Sequence, residues 1–328
     1  MELNHTIHFA ADKQCRVTIG SWPEVVAPYG LLLRTIAIVD SKVAASCDLY
    51  EYFHEVVVIE GGEGVKSIDV ARGLWESLVE VGADRHTLLV GVGGGTVTDL
   101  VAFVASTFMR GLKFLLLPTT LLGQVDAAIG GKCGVNFGGY KNMVGAFSLP
   151  EEVVCDPQWL RTLPEREWRC GMAEIIKTAI VGDAELFELL ENSTLEMVMS
   201  DDDLLAEIVA HSVAVKCRVV NEDFRESGLR RVLNLGHTMA HAIESRTEQY
   251  SHGEAVAVGI AYVARMATDR GELSAEDCGR IVNLLERYGL PTSVELDMES
   301  LQEAMMHDKK NKNGEIGWVV PRNIGSMI

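Results

Sequence analysis

Thr87-Leu88-Leu89-Val90-Gly91-Val92-Gly93-Gly94-Gly95-Thr96 decides the fold, because an apolar run passes directly into a glycine turn. A helical pattern over Val97–Met109 follows at once. Glycines after a strand let the backbone approach a phosphate, and the amides that open a helix present donors and the positive end of its dipole. The turn is not a full G-x-G-x-x-G, since Thr96 stands three residues after Gly93. A plain tight turn would use the same glycines. Its position inside an α/β unit favours the phosphate reading.

Working outward, the spacing predicts strands at Arg16–Ile19, Thr35–Val39, Val56–Ile59, Thr87–Gly91 and Lys113–Pro118, with helices at Ser67–Val81 and Val97–Met109. Buried strands alternating with helices indicate an α/β domain with a mostly parallel sheet. Ligands of such sheets bind at the carboxyl ends of the strands. Asp40 closes the second strand, where it would accept from a ribose. Glu63 and Lys66 follow the third in Glu60-Gly61-Gly62-Glu63-Gly64-Val65-Lys66, where solvated loop charges are the plainer account. After the fifth strand, Pro118-Thr119-Thr120-Leu121-Leu122-Gly123-Gln124-Val125-Asp126 leads to Gly130-Gly131-Lys132, Asn136 and Gly138-Gly139-Tyr140-Lys141-Asn142. Lysines in glycine-rich loops bind phosphate or carboxylate as point charges.

From about Pro157 the pattern turns helical: Trp168–Ile180, Ala184–Glu191, Asp203–Val219, Leu229–Ser245, Glu254–Arg270, Ala275–Arg287 and Met298–His307, with a short strand at Ile316–Pro321. We therefore expect two domains, 1–156 and 157–328, in a chain of 328 residues too long for one ordinary core. Within the second, Glu174 and Lys177 share a helical face, and Lys216 interrupts an apolar segment. Buried charges need partners, which marks Glu174 and Lys216 as site candidates. Arg230, Asn234, His237 and His241 would lie on one face of the Leu229–Ser245 helix.

Three of the nine histidines, His237, His241 and His252, fall within sixteen residues. Neutral imidazole is the commonest ligand for zinc, and a catalytic zinc keeps three protein ligands and one open position. His237 and His241, four apart, form a weak i,i+4 pair that core histidines would also produce, and Glu174 is the natural carboxylate to join them.

Composition narrows the function classes. A net charge of −18 argues against nucleic-acid or anionic-membrane partners, although a local basic pocket for an anionic small molecule remains compatible with it. Aromatics at 6% leave few base-stacking platforms. No apolar run reaches the roughly 20 residues of a membrane span, and the N-terminus lacks a secretory pattern. Seven scattered cysteines without a C-x-x-C pair read as reduced thiols, so a soluble cytoplasmic protein is expected.

Eight motifs in order carry a specific resemblance. They are Gly93-Gly94-Gly95-Thr96-Val97-Thr98-Asp99, Met109-Arg110-Gly111, Pro118-Thr119-Thr120-Leu121-Leu122, Gly130-Gly131-Lys132, Lys141-Asn142, Glu174-x-x-Lys177, Asn234-x-Gly236-His237-Thr238 and His252-Gly253-Glu254. From about Asp40 to Lys310 the chain resembles the 3-dehydroquinate synthases, among the sugar phosphate cyclases. That resemblance implies a Rossmann-like NAD-binding α/β domain and a mainly helical domain carrying zinc, with the active site between them. It assigns the metal to Glu174, His237 and His252, which moves His241 to a substrate-contacting or supporting role. Cobalt is an alternative, because N/O donors alone do not select zinc. By the same resemblance NAD would contact Asp40, Glu63, Lys66, Gly94, Gly95, Thr96, Asp99, Thr119, Thr120, Lys132 and Lys141. Substrate would contact Asp126, Lys132, Asn142, Lys177, Lys216, Arg230, Asn234, His241 and one of Lys309 or Lys310, with Lys132 and Arg230 recognising anionic groups.

The implied reaction belongs to the shikimate pathway to aromatic amino acids. The ring C5 of 3-deoxy-D-arabino-heptulosonate 7-phosphate gives a hydride to NAD, phosphate is eliminated, the hydride returns, and the opened ring closes by an intramolecular aldol step. The net reaction is that of a lyase. Thr98 and Cys133 depart from the residues common in the family at those positions. A homodimer is also implied. The rivals are a valiolone- or inosose-forming cyclase, or a metal- and NAD-dependent polyol dehydrogenase. Asn234 and His241 argue against the valiolone branch. A true dehydrogenase would leave Lys132, Lys141, Asn142, Lys216 and Arg230 without a purpose.

Overall fold

A computed structural model describes residues 3–9, 13–306 and 316–327. The chain divides into two compact units, Met1–Leu163 and Pro164–Ile328.

The first unit contains strands β1 (Leu3–Phe9), β2 (Lys13–Ile19), β3 (Thr35–Asp40), β4 (Glu55–Ile59), β5 (Leu88–Gly93), β6 (Lys113–Pro118), β7 (Lys132–Phe137), β8 (Tyr140–Phe147) and β9 (Glu152–Cys155). Its helices are α1 (Trp22–Leu32), α2 (Ser41–Ala44), α3 (Ile68–Glu80) and α4 (Gly95–Thr107). Seven strands form one sheet in the order β1-β2-β9-β6-β5-β3-β4, in which only the β1–β2 pair is antiparallel. Side chains alternate across the sheet, so Ala37, Val39, Val90, Val92, Leu115, Leu117 and Val154 form one core with Trp22 and Val26 of α1. On the other face α4 comes so close that a Cβ on Gly91 would stand 3.0 Å from that of Val101. From β3 the chain moves outward to β4, and from β5 it moves the opposite way to β6. The ends of β3 and β5 therefore flank the point where strand order reverses, the usual ligand crevice of such sheets.

The predicted strands lie within β2 to β6, apart from small shifts at their ends. The stretch around Lys132 and Lys141, read as a glycine-rich loop, is instead the antiparallel hairpin β7–β8. The edge strand β1 and the buried β9 were not predicted.

The second unit is helical: α5 (Glu165–Gly182), α6 (Ala184–Glu191), α7 (Leu195–Ser200), α8 (Asp202–Glu222), α9 (His237–Arg246), α10 (His252–Asp269), α11 (Ala275–Arg287) and α12 (Met298–Met306). The continuous helix predicted over Leu229–Ser245 does not form. A 3-10 turn, Leu229–Asn234, ends before Gly236, whose φ of +79° breaks the chain direction, and α9 starts afresh at His237. Arg230 and Asn234 therefore do not share a helical face with His237. The strand predicted at Ile316–Pro321 is also absent, because this segment has no strand partner among the described residues; Trp318 packs on Tyr262 with ring centroids 5.5 Å apart. Lys309 and Lys310 lie outside the described residues.

Candidate functional site

In the first unit the expected cofactor residues converge on the strand ends. Asp40 caps α2, its Oδ1 accepting from the Lys42 amide at 2.9 Å. A side chain on Gly61 would collide with the Asp40 carboxylate, so glycine there keeps Asp40 accessible. Gly94 is the N-cap of α4, and no side chain caps that helix. A Cβ on Gly94 would lie 3.1 Å from Thr120, and one on Gly95 would lie 2.9 Å from Ala127. The bare helix start is thus held against the turn after β6, where the Thr119 amide donates to Gly93 O at 2.9 Å. Thr96 sits in the first turn of α4. These features fit a dinucleotide phosphate at the helix N-terminus.

Lys66 is buried and its Nζ forms an ion pair with Asp99 Oδ2. Burial pushes the Asp99 carboxyl above its ordinary value, with Lys66 opposing that shift. Glu63 Oε1 accepts from Asn136 Nδ2 of β7 at 2.7 Å. Lys132 and Lys141 stand exposed on the hairpin, and Asn142 has a left-handed φ of +51°, its amide donating to Asn136 Oδ1 at 2.9 Å. Asp126 lies on a π turn, Gly123–Ala127, which the buried Gln124 ties to Pro118 O at 3.1 Å and Asp156 O at 2.8 Å.

In the second unit the buried Glu174 and the partly exposed His237 and His252 form a cluster whose ligand atoms all lie within 4.8 Å of one another. Glu174 comes from the middle of α5, and the two imidazoles project from the first residues of α9 and α10. Glycines make this possible. A Cβ on Gly253 would stand 2.5 Å from Cys170 Cα, so α10 meets α5 backbone to backbone one turn before Glu174. Gly236, in its left-handed turn, would place a Cβ 2.8 Å from Val256 O and Ile260 N.

Glu174 Oε1 lies 3.3 Å from His252 Nε2 and 3.6 Å from His237 Nε2. A tetrahedral ion with bonds of about 2.0–2.1 Å holds its donors about 3.3–3.4 Å apart. Neither Glu174 oxygen, both fully buried, accepts a hydrogen bond of ordinary geometry among the described residues. Lys177 Nζ lies against Oε2. Burial alone would raise the Glu174 pKa, but Lys177 and the two imidazoles hold it well below the ordinary carboxylate range. For His252, burial is outweighed by Glu174 and Glu244, which push its pKa up to about 10. A buried carboxylate without proper acceptor geometry, facing two imidazoles at these distances, fits a divalent cation. His241 stays outside this ligand set, its ring 5.7 Å from that of His237.

On the 3-10 turn before α9, Arg230 is only 2% exposed and its Nη1 donates to Phe224 O at 2.6 Å, while Asn234 Nδ2 donates to Glu226 Oε1 at 2.5 Å. Lys216 is buried on α8. Asp223 organises the intervening loop. Its Oδ1 accepts from the Ser227 amide at 2.8 Å, and its Oδ2 accepts from those of Gly228 at 2.7 Å and Arg230 at 3.1 Å. Sequence reading missed Asp223, Glu226 and Glu244. Glu244 carried a signal, standing seven residues after His237 and hence on the same helical face. Glu226 carried none, because its role depends on a left-handed φ of +57°.

Residues 56–170 match the 3-dehydroquinate synthase N-terminal family, and residues 171–311 match its C-terminal counterpart. The chain belongs to the 3-dehydroquinate synthase family. The 3-dehydroquinate synthase of Leptospira interrogans serogroup Icterohaemorrhagiae serovar Lai (strain 56601) is 42% identical over 276 residues, 84% of this chain and 76% of that protein. Among solved structures, a 2-deoxy-scyllo-inosose synthase complexed with carbaglucose-6-phosphate, NAD+ and Co2+ is 29% identical, with a TM-score of 0.88 over 98% of this chain and 93% of that one. ValA, a 2-epi-5-epi-valiolone synthase from Streptomyces hygroscopicus subsp. jinggangensis 5008 with NAD+ and Zn2+ bound, is 28% identical, with a TM-score of 0.87 over 97% and 93%. A 3-dehydroquinate synthase fold thus presents, in its helical unit, three side chains that could hold a metal ion.

Proposed function

We propose that the chain converts 3-deoxy-D-arabino-heptulosonate 7-phosphate to 3-dehydroquinate and phosphate, acting as a carbon–oxygen lyase that returns its NAD unchanged. The Glu174–His237–His252 cluster, in a chain matched by both halves of the family, carries this reading. When bound, NAD supplies a reversible hydride acceptor, and a zinc or cobalt ion held by the three ligands supplies Lewis acidity toward the substrate C5 oxygen.

The α/β unit holds NAD. Asp40 accepts from ribose hydroxyls, and the amides around Gly94, Gly95 and Thr96 donate to phosphate. Thr119 and Thr120 close the far side of that cradle. Lys66 and Asp99 offer a paired cation and acceptor, with Glu63, Lys132 and Lys141 along the hairpin side. The helical unit binds the metal and much of the substrate. Arg230 meets a carboxylate or phosphate with its planar fork, and Lys132, Lys177 and Lys216 add point charges. Asn142, Asn234 and Asp126 orient hydroxyl groups. Lys177 also keeps Glu174 ionised, and His241, outside the ligand set, is the imidazole that holds or delivers a proton to a substrate oxygen.

The test is a coupled assay with metal-loaded protein, catalytic NAD and the heptulosonate phosphate, following phosphate and NADH together. Phosphate release without net NADH is expected. NADH accumulating without phosphate would identify a polyol dehydrogenase, and release only from glucose 6-phosphate or sedoheptulose 7-phosphate would identify another cyclase. A cytoplasmic homodimer completes the proposal. It is supported by the family resemblance and by seven scattered cysteines without a C-x-x-C pair, and sedimentation tests the dimer. No described helix is long and apolar enough to cross a membrane.

A further inference from the structure

We propose that Glu244 is a positioning residue for the metal centre, accepting the Nδ1 proton of His252 and so fixing the ring with which Nε2 faces the ion. The inference rests on the metal reading above. Glu244 lies on α9, and its side chain is only 12% exposed. Its Oε1 stands 3.4 Å from His252 Nδ1, while the other ring nitrogen, Nε2, lies 3.3 Å from Glu174 Oε1. The imidazole is therefore held between two carboxylates on opposite edges.

His237 is held in the same manner by an unlike partner. Its Nδ1 lies 3.2 Å from Leu235 O, a neutral carbonyl, and its Nε2 faces Glu174. Both rings thus turn Nε2 inward and give Nδ1 an acceptor, which assigns the tautomer each needs as a ligand. The position of Glu244 supports a dedicated role. It sits in the last turn of α9, where the helix dipole disfavours a negative side chain. The His252 N–H compensates that placement.

The test compares the full-length parent with Glu244→Ala and Glu244→Gln, each stripped of metal. Each is titrated with Co2+ by visible absorption and with Zn2+ against a chromophoric chelator, alongside thermal melts of the metal-free forms. The parent binds one equivalent. Glu244→Ala binds about 10–100-fold more weakly. Glu244→Gln, whose amide oxygen still accepts from Nδ1–H, falls between them, and the metal-free melting temperatures agree within about 2 °C. The proposal is overturned if Glu244→Ala keeps affinity within about twofold of the parent, if Gln restores nothing, or if the loss tracks an equal fall in metal-free stability. A parent that binds no metal overturns the metal reading together with this one. A parent that binds metal but releases no phosphate in the coupled assay overturns the function alone, and the three affinities still decide the role of Glu244.

Discussion

At the residue scale, Asp223 shows how a side chain remote from chemistry prepares a site. Burial works against its charge, but the amides of Gly228, Ser227 and Arg230 bring its pKa down to about 2. A folded pKa below the unfolded value contributes stability above about pH 4, which is lost as pH falls toward 2. Asp223→Asn turns an acceptor into a donor facing amides, so the variant should lose about 1–3 kcal/mol at neutral pH. In urea titrations the gap to the parent should stay level from pH 7 to about 4.5, then narrow as the parent's Asp223 takes up its proton. A gap that widens in acid would contradict this. The Glu174–His237–His252 cluster was legible as a set of candidates because few side chains can serve as donors. Spacing alone, however, favoured His241 over His252. Gly236 explains the failure, because its left-handed turn decides where α9 begins, and periodicity carries no trace of that.

At the element scale, the contact of α9 with α10 depends on glycine. A Cβ on Gly259 would fall on the carbonyl oxygen of Gly236, backbone that cannot yield as a flexible side chain would. Gly259→Ala should cost about 1–3 kcal/mol or more and lower the melting temperature by several degrees. Gly279, inside α11, has nothing within 4 Å of the same position, so Gly279→Ala should gain about 0.5–1 kcal/mol. Equal responses from the two variants would refute the packing argument. The parallel strands were readable because burial on both faces makes them nearly all apolar. The β7–β8 hairpin was not readable, and its glycines explain why. A Cβ on Gly134 would lie 2.8 Å from Val144 O, so the strands approach too closely there for the alternating side chains that announce a strand.

For the whole molecule, the two cofactors should leave separate footprints. In hydrogen exchange, adding Co2+ should slow exchange in α5, α9 and α10, and adding NAD should slow it at Asp40, Lys66 and Gly91–Asp99. Exchanged footprints would overturn the assignment of cofactors to units. The net charge of −18 argued against a nucleic-acid partner, but it concealed Lys66, Lys177, Lys216 and Arg230, all of them buried. Net charge is a sum over the whole chain and carries no information on where a few cations are placed. His237 and His252 each open a helix, and Cα–Cβ bonds lean toward the helix start, so both rings extend beyond N-termini that carry roughly half a positive charge each. Two fractional positive poles therefore converge on a place meant for a cation. They loosen the grip on a cation held there and favour an anionic ligand beside it.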